Sequence, residues 1–323
     1  MDNLYENLHA DGLISNESFE KIKQRSDLFS VHWEIKTLLY LGVLLLTSGL
    51  ALLIYENIDT IGHQFVLALI ALICIGCFGY CFKTSLPFNS GKVKSPNTSF
   101  DYILLLGSIS LLTFIGYLQF EYKVFGTNYN LATLIPMIVL FFTAYYFDHL
   151  GILNMAIANL AVWMGVSVTP KSLLLNTTFD SQTIIYTYLA LGIILLAGAY
   201  LTQRFNFKKH FKFSYQHYGV HVTFISLLAG YFFFYNSAFA MLWMLMLSAV
   251  AWLIFRDAFK NHSFYFLLLV VLYSYVAISS LVVRVMMLAE DEGALYLTML
   301  YFIGSAIGLI FLLINLNKKI KTS

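Results

Sequence analysis

Residues 131–168 read LATLIPMIVLFFTAYYFDHLGILNMAIANLAVWMGVSV, a nearly continuous apolar run of 38 residues. A helix needs about 20 apolar residues to cross the roughly 30 Å hydrocarbon core of a bilayer. One crossing cannot use them all, and Asp148 and His149 stand at the middle of the run, where ionisable groups are costly at membrane depth. The pattern therefore predicts two antiparallel spans, 131–147 and 150–168, with a tight turn at Asp148–His149. The same reasoning divides residues 218–255 at Asn236–Ser237 into spans 218–235 and 238–255.

Composition agrees with this reading. The 323 residues are 59% apolar and 11% charged, against about 45–50% and roughly 25% in soluble domains. So little charge cannot coat a water-soluble globule, which leaves an all-α polytopic membrane bundle. About ten spans are expected, at 36–55, 62–82, 101–119, 131–147, 150–168, 183–201, 218–235, 238–255, 263–284 and 295–315, together forming a transmembrane domain over 31–317. A cytoplasmic helical hairpin is expected over 1–30, and a basic tail over 318–323. The first thirty residues are charged throughout and hold no apolar stretch leading to a small-residue cleavage site, so the first span is expected to direct its own insertion.

Charge placement fixes the orientation. With the spans numbered from inside, one side receives Lys21, Lys23, Arg25, Lys36, Lys83, Lys92, Lys94, Arg204, Lys208, Lys209, Lys212, Arg256, Lys260, Lys318, Lys319 and Lys321. The other receives Lys123, Lys171 and Arg284. Basic residues gather on the cytoplasmic side of membrane proteins, so sixteen against three predicts that both termini are cytoplasmic. In a bacterium this is the inner membrane.

The N-terminal segment contains Gly12-Leu13-Ile14-Ser15, between apolar positions Leu4 and Leu8 and positions Phe19 and Ile22. It resembles the short helix–Gly–Ile–Ser–helix modules of the SHOCT type, and the resemblance implies a role in association with a protein partner. The first span reads Leu38-Leu39-Tyr40-Leu41-Gly42-Val43-Leu44-Leu45-Leu46-Thr47-Ser48-Gly49, followed by Glu56-Asn57-Ile58-Asp59 and Ile61-Gly62. With the preceding hairpin, this resembles the bacterial predicted membrane proteins of the domain of unknown function 2157 family, most clearly over the first 80 residues. Ile58 stands where a tryptophan is common in that family. The resemblance implies an inner-membrane protein and carries no catalytic residues with it.

Polar groups at membrane depth are the candidate functional residues. Asp148, His149, Asn154 and Asn159 could line a polar path from the cytoplasm; they serve equally as a turn cap and as interhelical hydrogen-bonding groups. Arg284 interrupts the apolar run 280–288. It is either a buried cation needing a carboxylate such as Glu56, Asp59, Glu121 or Glu290, or a side chain snorkelling to the boundary. Gly304 and Gly308 in the last span form a small-x-x-x-small pair, which suits close helix packing.

Cys74, Cys77 and Cys81 share a helical face, but a closed zinc site normally takes four ligands, and no histidine lies near them in sequence. They read as small packing residues. Lys208, Lys209 and Lys212 alternate with Phe205, Phe207, Phe211 and Phe213, a pattern that suits an anchor on anionic lipid and not a nucleic-acid site. His221 has no acidic neighbour in sequence. No phosphate-binding loop, H-E-x-x-H or G-x-S-x-G is present, so no catalytic residue, cofactor or metal is expected. The reading is a non-catalytic membrane component. The alternative is a transporter whose ten spans divide into inverted halves of five.

Overall fold

The computed structural model describes residues 62–126, 129–168, 182–288 and 292–322, with isolated positions before residue 62. The chain forms two compact units, Met1–Val66 and Leu67–Ser323. Little of the first is described. Gly12 adopts φ 69°, His9 stacks on Phe19 at 4.3 Å, and the His9 Nε2 and Asn16 Oδ1 atoms lie 2.6 Å apart. The rest of the expected hairpin, and most of the expected span 36–55, fall outside the described residues.

The described residues of the second unit are all-helical, with no strand among them. Among these described residues there are nine α-helices: α1 (His63–Thr84), α2 (Thr98–Tyr122), α3 (Asn130–Phe147), α4 (Leu150–Val168), α5 (Gln182–Arg204), α6 (Lys212–Phe233), α7 (Phe239–Lys260), α8 (Phe264–Met287) and α9 (Glu292–Thr322). A single 3-10 turn, Lys209–Phe211, precedes α6. Seven of the nine are long and apolar enough to cross a membrane; α4 is an apolar helix over Leu150–Gly165, the part of it whose side chains are described, and α6 is more polar.

The polar content of α6 follows from its neighbours. It packs on α4, α5, α7 and α8 and buries Ser214, Gln216, Thr223 and Ser226 along with Val220, Phe224, Leu227 and Tyr231. A helix surrounded by protein can satisfy hydroxyls and amides internally, whereas a lipid-facing one cannot. It also starts six residues ahead of the expected span at 218, because the chain between α5 and α6 turns back on the bundle instead of trailing along the surface.

Small residues let α5 and α6 approach closely. A Cβ on Gly192 would lie 2.8 Å from the Thr223 backbone nitrogen, and one on Gly219 would lie 3.0 Å from the Leu196 nitrogen. Glycine at helix crossings is the usual device for such contact in membranes. Between α1 and α2, Cys74 Sγ donates to the Gly107 carbonyl at 3.7 Å, and a Cβ on Gly107 would meet Cys77 Cβ at 2.9 Å.

Two apolar clusters result. One joins α1–α5 with the turn before α6 and the start of α6, and includes Cys81, Phe100, Leu140, Ile152, Leu195 and Phe211. The other joins α6, α7 and α8 through Phe224, Tyr231, Trp243, Leu247 and Leu267. On α9 the stripe facing α8 is Thr298, Tyr301 and Ser305: Tyr301 pairs with Ser279 at 3.0 Å and Ser305 with Tyr275 at 3.0 Å. Gly304 and Gly308 lie off this stripe, and an added Cβ would meet nothing within 4 Å at either. The helix seam runs one position beside the glycine pair expected to form it.

Candidate functional site

One end of the second unit gathers the α1–α2, α3–α4, α5–α6 and α7–α8 connections, and most of its lysines and arginines lie there. At this basic end α3 stops at Asp148, which takes the left-handed conformation, φ 59°, with its N–H bonded to the Ala144 carbonyl. His149 N–H also donates to Ala144 O, at 3.0 Å, and α4 begins at the next residue. Aspartate tolerates the left-handed region better than most residues because its short polar side chain bonds locally.

That backbone turn aims the Asp148 carboxylate inward. Its Oδ2 accepts from the Val93 N–H at 2.5 Å and lies 3.3 Å from Lys208 Nζ. Its Oδ1 accepts from His210 Nε2 at 2.5 Å. Both Asp148 and Lys208 side chains are 0% exposed. Lys208 is itself left-handed, φ 48°. Its backbone N–H donates to Ser90 O at 2.8 Å, its ammonium donates to Gly91 O at 3.3 Å, and that ammonium stands 5.1 Å from the centre of the Phe88 ring.

The 85–97 loop is thus held by Asp148 on one side and Lys208 on the other. A buried charge pair is tolerable only when its remaining valences are also filled, and here carbonyls, an amide N–H and an imidazole fill them. Lys208 and Phe211 are therefore interior residues. The expected lipid anchor is corrected for these two positions, while Phe205, Phe213 and Lys209 are exposed.

His149 sits beside this cluster. Its Nδ1 accepts the Ile152 N–H at 3.2 Å, capping α4, and its Nε2 lies 3.8 Å from Asp101. Burial pushes its pKa below the ordinary 6.5, with Asp101 opposing that shift. A histidine held neutral in the fold but freer to charge when unfolded contributes stability above pH 6.5 that is lost as pH falls through the folded value. Unfolding followed between pH 8 and 5 should therefore show weakening on the acid side, and His149→Gln should make the curve flatter over that window. An unchanged slope in the variant would contradict the assignment.

The other expected site residues separate. Asn159 donates to the Thr133 carbonyl of α3 at 2.8 Å, a helix–helix bond. Asn154 Oδ1 is buried and makes no hydrogen bond. Arg284, near the end of α8, places its guanidinium 4.7 Å from the centre of the Tyr235 ring; a face-on aromatic ring stabilises a cation by about 0.5–2 kcal/mol. Among the described residues no carboxylate pairs with it, and Asp59 and Glu290 lie outside them. Asp148 and His149 are thus together at the basic end, while Arg284 stands at the far end of its helix.

Sequence reasoning missed Lys208 and His210 as partners of Asp148, and it missed a second polar group at the basic end. Asp257 of α7 accepts from Gln216 at 2.9 Å and from Lys212 at 3.4 Å. Beside it lies a cleft of about 290 Å³ that also touches Tyr200 and Gln203. A larger apolar cavity of about 570 Å³ is lined by Phe141, Leu160, Leu201 and Phe207, with the Tyr145 and Tyr215 hydroxyls paired at 2.9 Å on its wall. A third, of about 580 Å³, lies under Tyr235, Tyr275 and Phe302. None of the three is lined by Asn154, Asn159 or Arg284. Among the described residues no three histidine, cysteine, aspartate or glutamate side chains gather as a metal site.

The family model described as predicted membrane protein, domain of unknown function 2157, matches residues 6–153, just under half of the chain. No curated protein and no solved structure matches. The matched segment is similar to the family that the first 80 residues resemble, and with the apolar helices it identifies a multi-pass membrane protein. It ends just past the α3–α4 turn. Asp148 lies inside the matched residues, and its partners Lys208 and His210 lie beyond them.

Proposed function

We propose that this chain is a non-catalytic structural, assembly or sensing component of a bacterial inner membrane, with both termini cytoplasmic and residues 1–30 available to a protein partner. The observation that carries this reading is the closure of the basic end. The Asp148 carboxylate, the best candidate for the mouth of a polar path, is 0% exposed and spent on Lys208, His210 and Val93. Asn159, the next candidate inward, is spent on the Thr133 carbonyl. Groups that bind a passing solute need free valences facing a cavity, whereas both oxygens of Asp148 are engaged and Asn159 is tied to α3.

The transporter alternative, five helices against an inverted five, keeps two observations in its favour: Asn154 Oδ1 and Arg284 Nη1 are each buried without a hydrogen bond. The test is direct. Asn154→Cys, made in a chain whose Cys74, Cys77 and Cys81 are alanine, is exposed in membranes to a water-soluble maleimide. The component reading predicts no labelling above the cysteine-free chain. Labelling that proceeds from one side of the membrane would overturn it in favour of a solvated path.

A further inference from the structure

Four ring side chains between α6 and α8 form one connected string. Tyr265 OH lies 2.6 Å from His217 Nδ1 and 3.5 Å from His221 Nε2. His221 Nδ1 lies 2.7 Å from Tyr273 OH. The two imidazoles are 4.8 Å apart at nearly right angles, and Tyr273 ends the string by stacking flat on Phe224 at 4.9 Å. Both helices start at the basic end. At 1.5 Å per residue, Tyr273, nine residues into α8, is about 14 Å along the helix axis, close to the middle of a hydrocarbon core about 30 Å thick.

We propose that His217 and His221 form a binding site for a single proton, which the Tyr265 hydroxyl passes between them. The geometry permits two arrangements of the same atoms. With the charge on His217, its Nδ1–H donates to Tyr265 O, the Tyr265 O–H donates to His221 Nε2, and His221 Nδ1–H donates to Tyr273 O. When the His217 Nδ1 proton moves to Tyr265 O and the Tyr265 proton moves to His221 Nε2, the charge is on His221. Tyr265 then donates to His217 Nδ1 and accepts from His221 Nε2. Two protons each move one place, the phenol is unchanged, and every link stays bonded. The incoming proton comes from an aqueous acid, hydronium or buffer, reaching His217 Nε2 from the basic end. A phenol bridge supports both placements of the charge, while a second proton would put two cations 4.8 Å apart.

The other ionisable groups on and around these helices have contacts of their own: on α5 the Tyr186 hydroxyl accepts from Gln182, the Tyr200 hydroxyl accepts from Arg204, and Tyr188 is also engaged. Tyr218, on α6 itself, meets His217 edge-on at 5.0 Å. Asp257 of α7 is held by Lys212 and Gln216, and Arg256 lies over Trp252. Asp148, Lys208 and His210 satisfy one another between α3 and the turn before α6. The Tyr145 hydroxyl of α3 meets Tyr215, and from α8 the groups touching the two rings are Tyr265 and Tyr273. Lys318 and Lys319 lie in the last turns of α9 and have contacts of their own. No carboxylate among the described residues pairs with either ring, so the charge is held by the string itself.

Nitrogen-15 histidine spectra of the full chain in lipid nanodiscs, titrated from pH 8 to 5, test this. The His217 and His221 signals should move together in a first step that takes up one proton. A second step should follow more than about one pH unit lower, as interacting sites require. In Tyr265→Phe the shared step should split, with one ring moving fully before the other. In Tyr273→Phe, which removes only the innermost acceptor, the His221 share of the first step should fall. Rings that titrate in the same pattern in wild type and Tyr265→Phe would overturn the proposal. If Tyr265→Phe does not fold, an unaltered His221 share in Tyr273→Phe would overturn it as well.

Discussion

Lys208→Met is expected to lower the unfolding free energy by about 3–5 kcal/mol, the usual cost of leaving one member of a buried ion pair without its partner. Methionine keeps most of the lysine stem, so the change isolates the charge. The Asp148 carboxylate would remain 0% exposed with only His210 and the Val93 N–H to hold it. The 85–97 loop would also lose the ammonium bond to Gly91 O, although the backbone bond from Lys208 to Ser90 O would survive. Asp148→Asn should cost a similar amount from the other side, since it strands the buried ammonium. Asparagine accepts the left-handed backbone as aspartate does, so that loss would not come from the turn. Denaturation in mixed micelles, followed by tryptophan fluorescence, gives both values.

Gly192→Val should be the next most damaging change, by about 1–3 kcal/mol from overpacking. A Cβ there would lie 2.8 Å from the Thr223 nitrogen and 3.0 Å from its Cα. These are backbone atoms of a fully buried residue, so no side-chain rotation relieves the clash and α5 must part from α6. Gly198→Ala on the same helix is the control. Its Cβ would meet the Tyr215 ring at 3.4 Å, an ordinary contact, and replacing glycine within a helix should stabilise by about 0.5–1 kcal/mol. Opposite signs at two glycines six residues apart would locate the close contact at Gly192; equal losses at both would argue against it.

These two sites also show what could be read from residues alone. The cost of Asp148 and His149 within a 38-residue apolar run was enough to expect a turn there. The partners of Asp148 could not be read, because Lys208 and His210 lie 60 or more residues away and stand in a cluster of alternating cations and aromatics. That pattern is the same for a surface anchor and for a loop folded inward. The span at 218–235 was legible from its apolar residues, but its extension back to Lys212 was not, because the hydroxyls and amides of α6 are acceptable only with four helices packed around it. His221 has no acidic neighbour in sequence, and its partners turned out to be phenols on α8. At Gly304 and Gly308 the motif was visible, but the direction of its face depends on how α9 is rotated about its axis.

The claim on which the account turns is that Asp148 and Lys208 form a closed structural pair rather than the mouth of a path. A double-mutant cycle of Asp148→Asn, Lys208→Met and the two together measures it directly. The pair predicts strong non-additivity: the double variant should be more stable than either single one, because no buried charge of the pair is left stranded. If instead the two losses simply add, the groups do not depend on each other, and the closed basic end is contradicted.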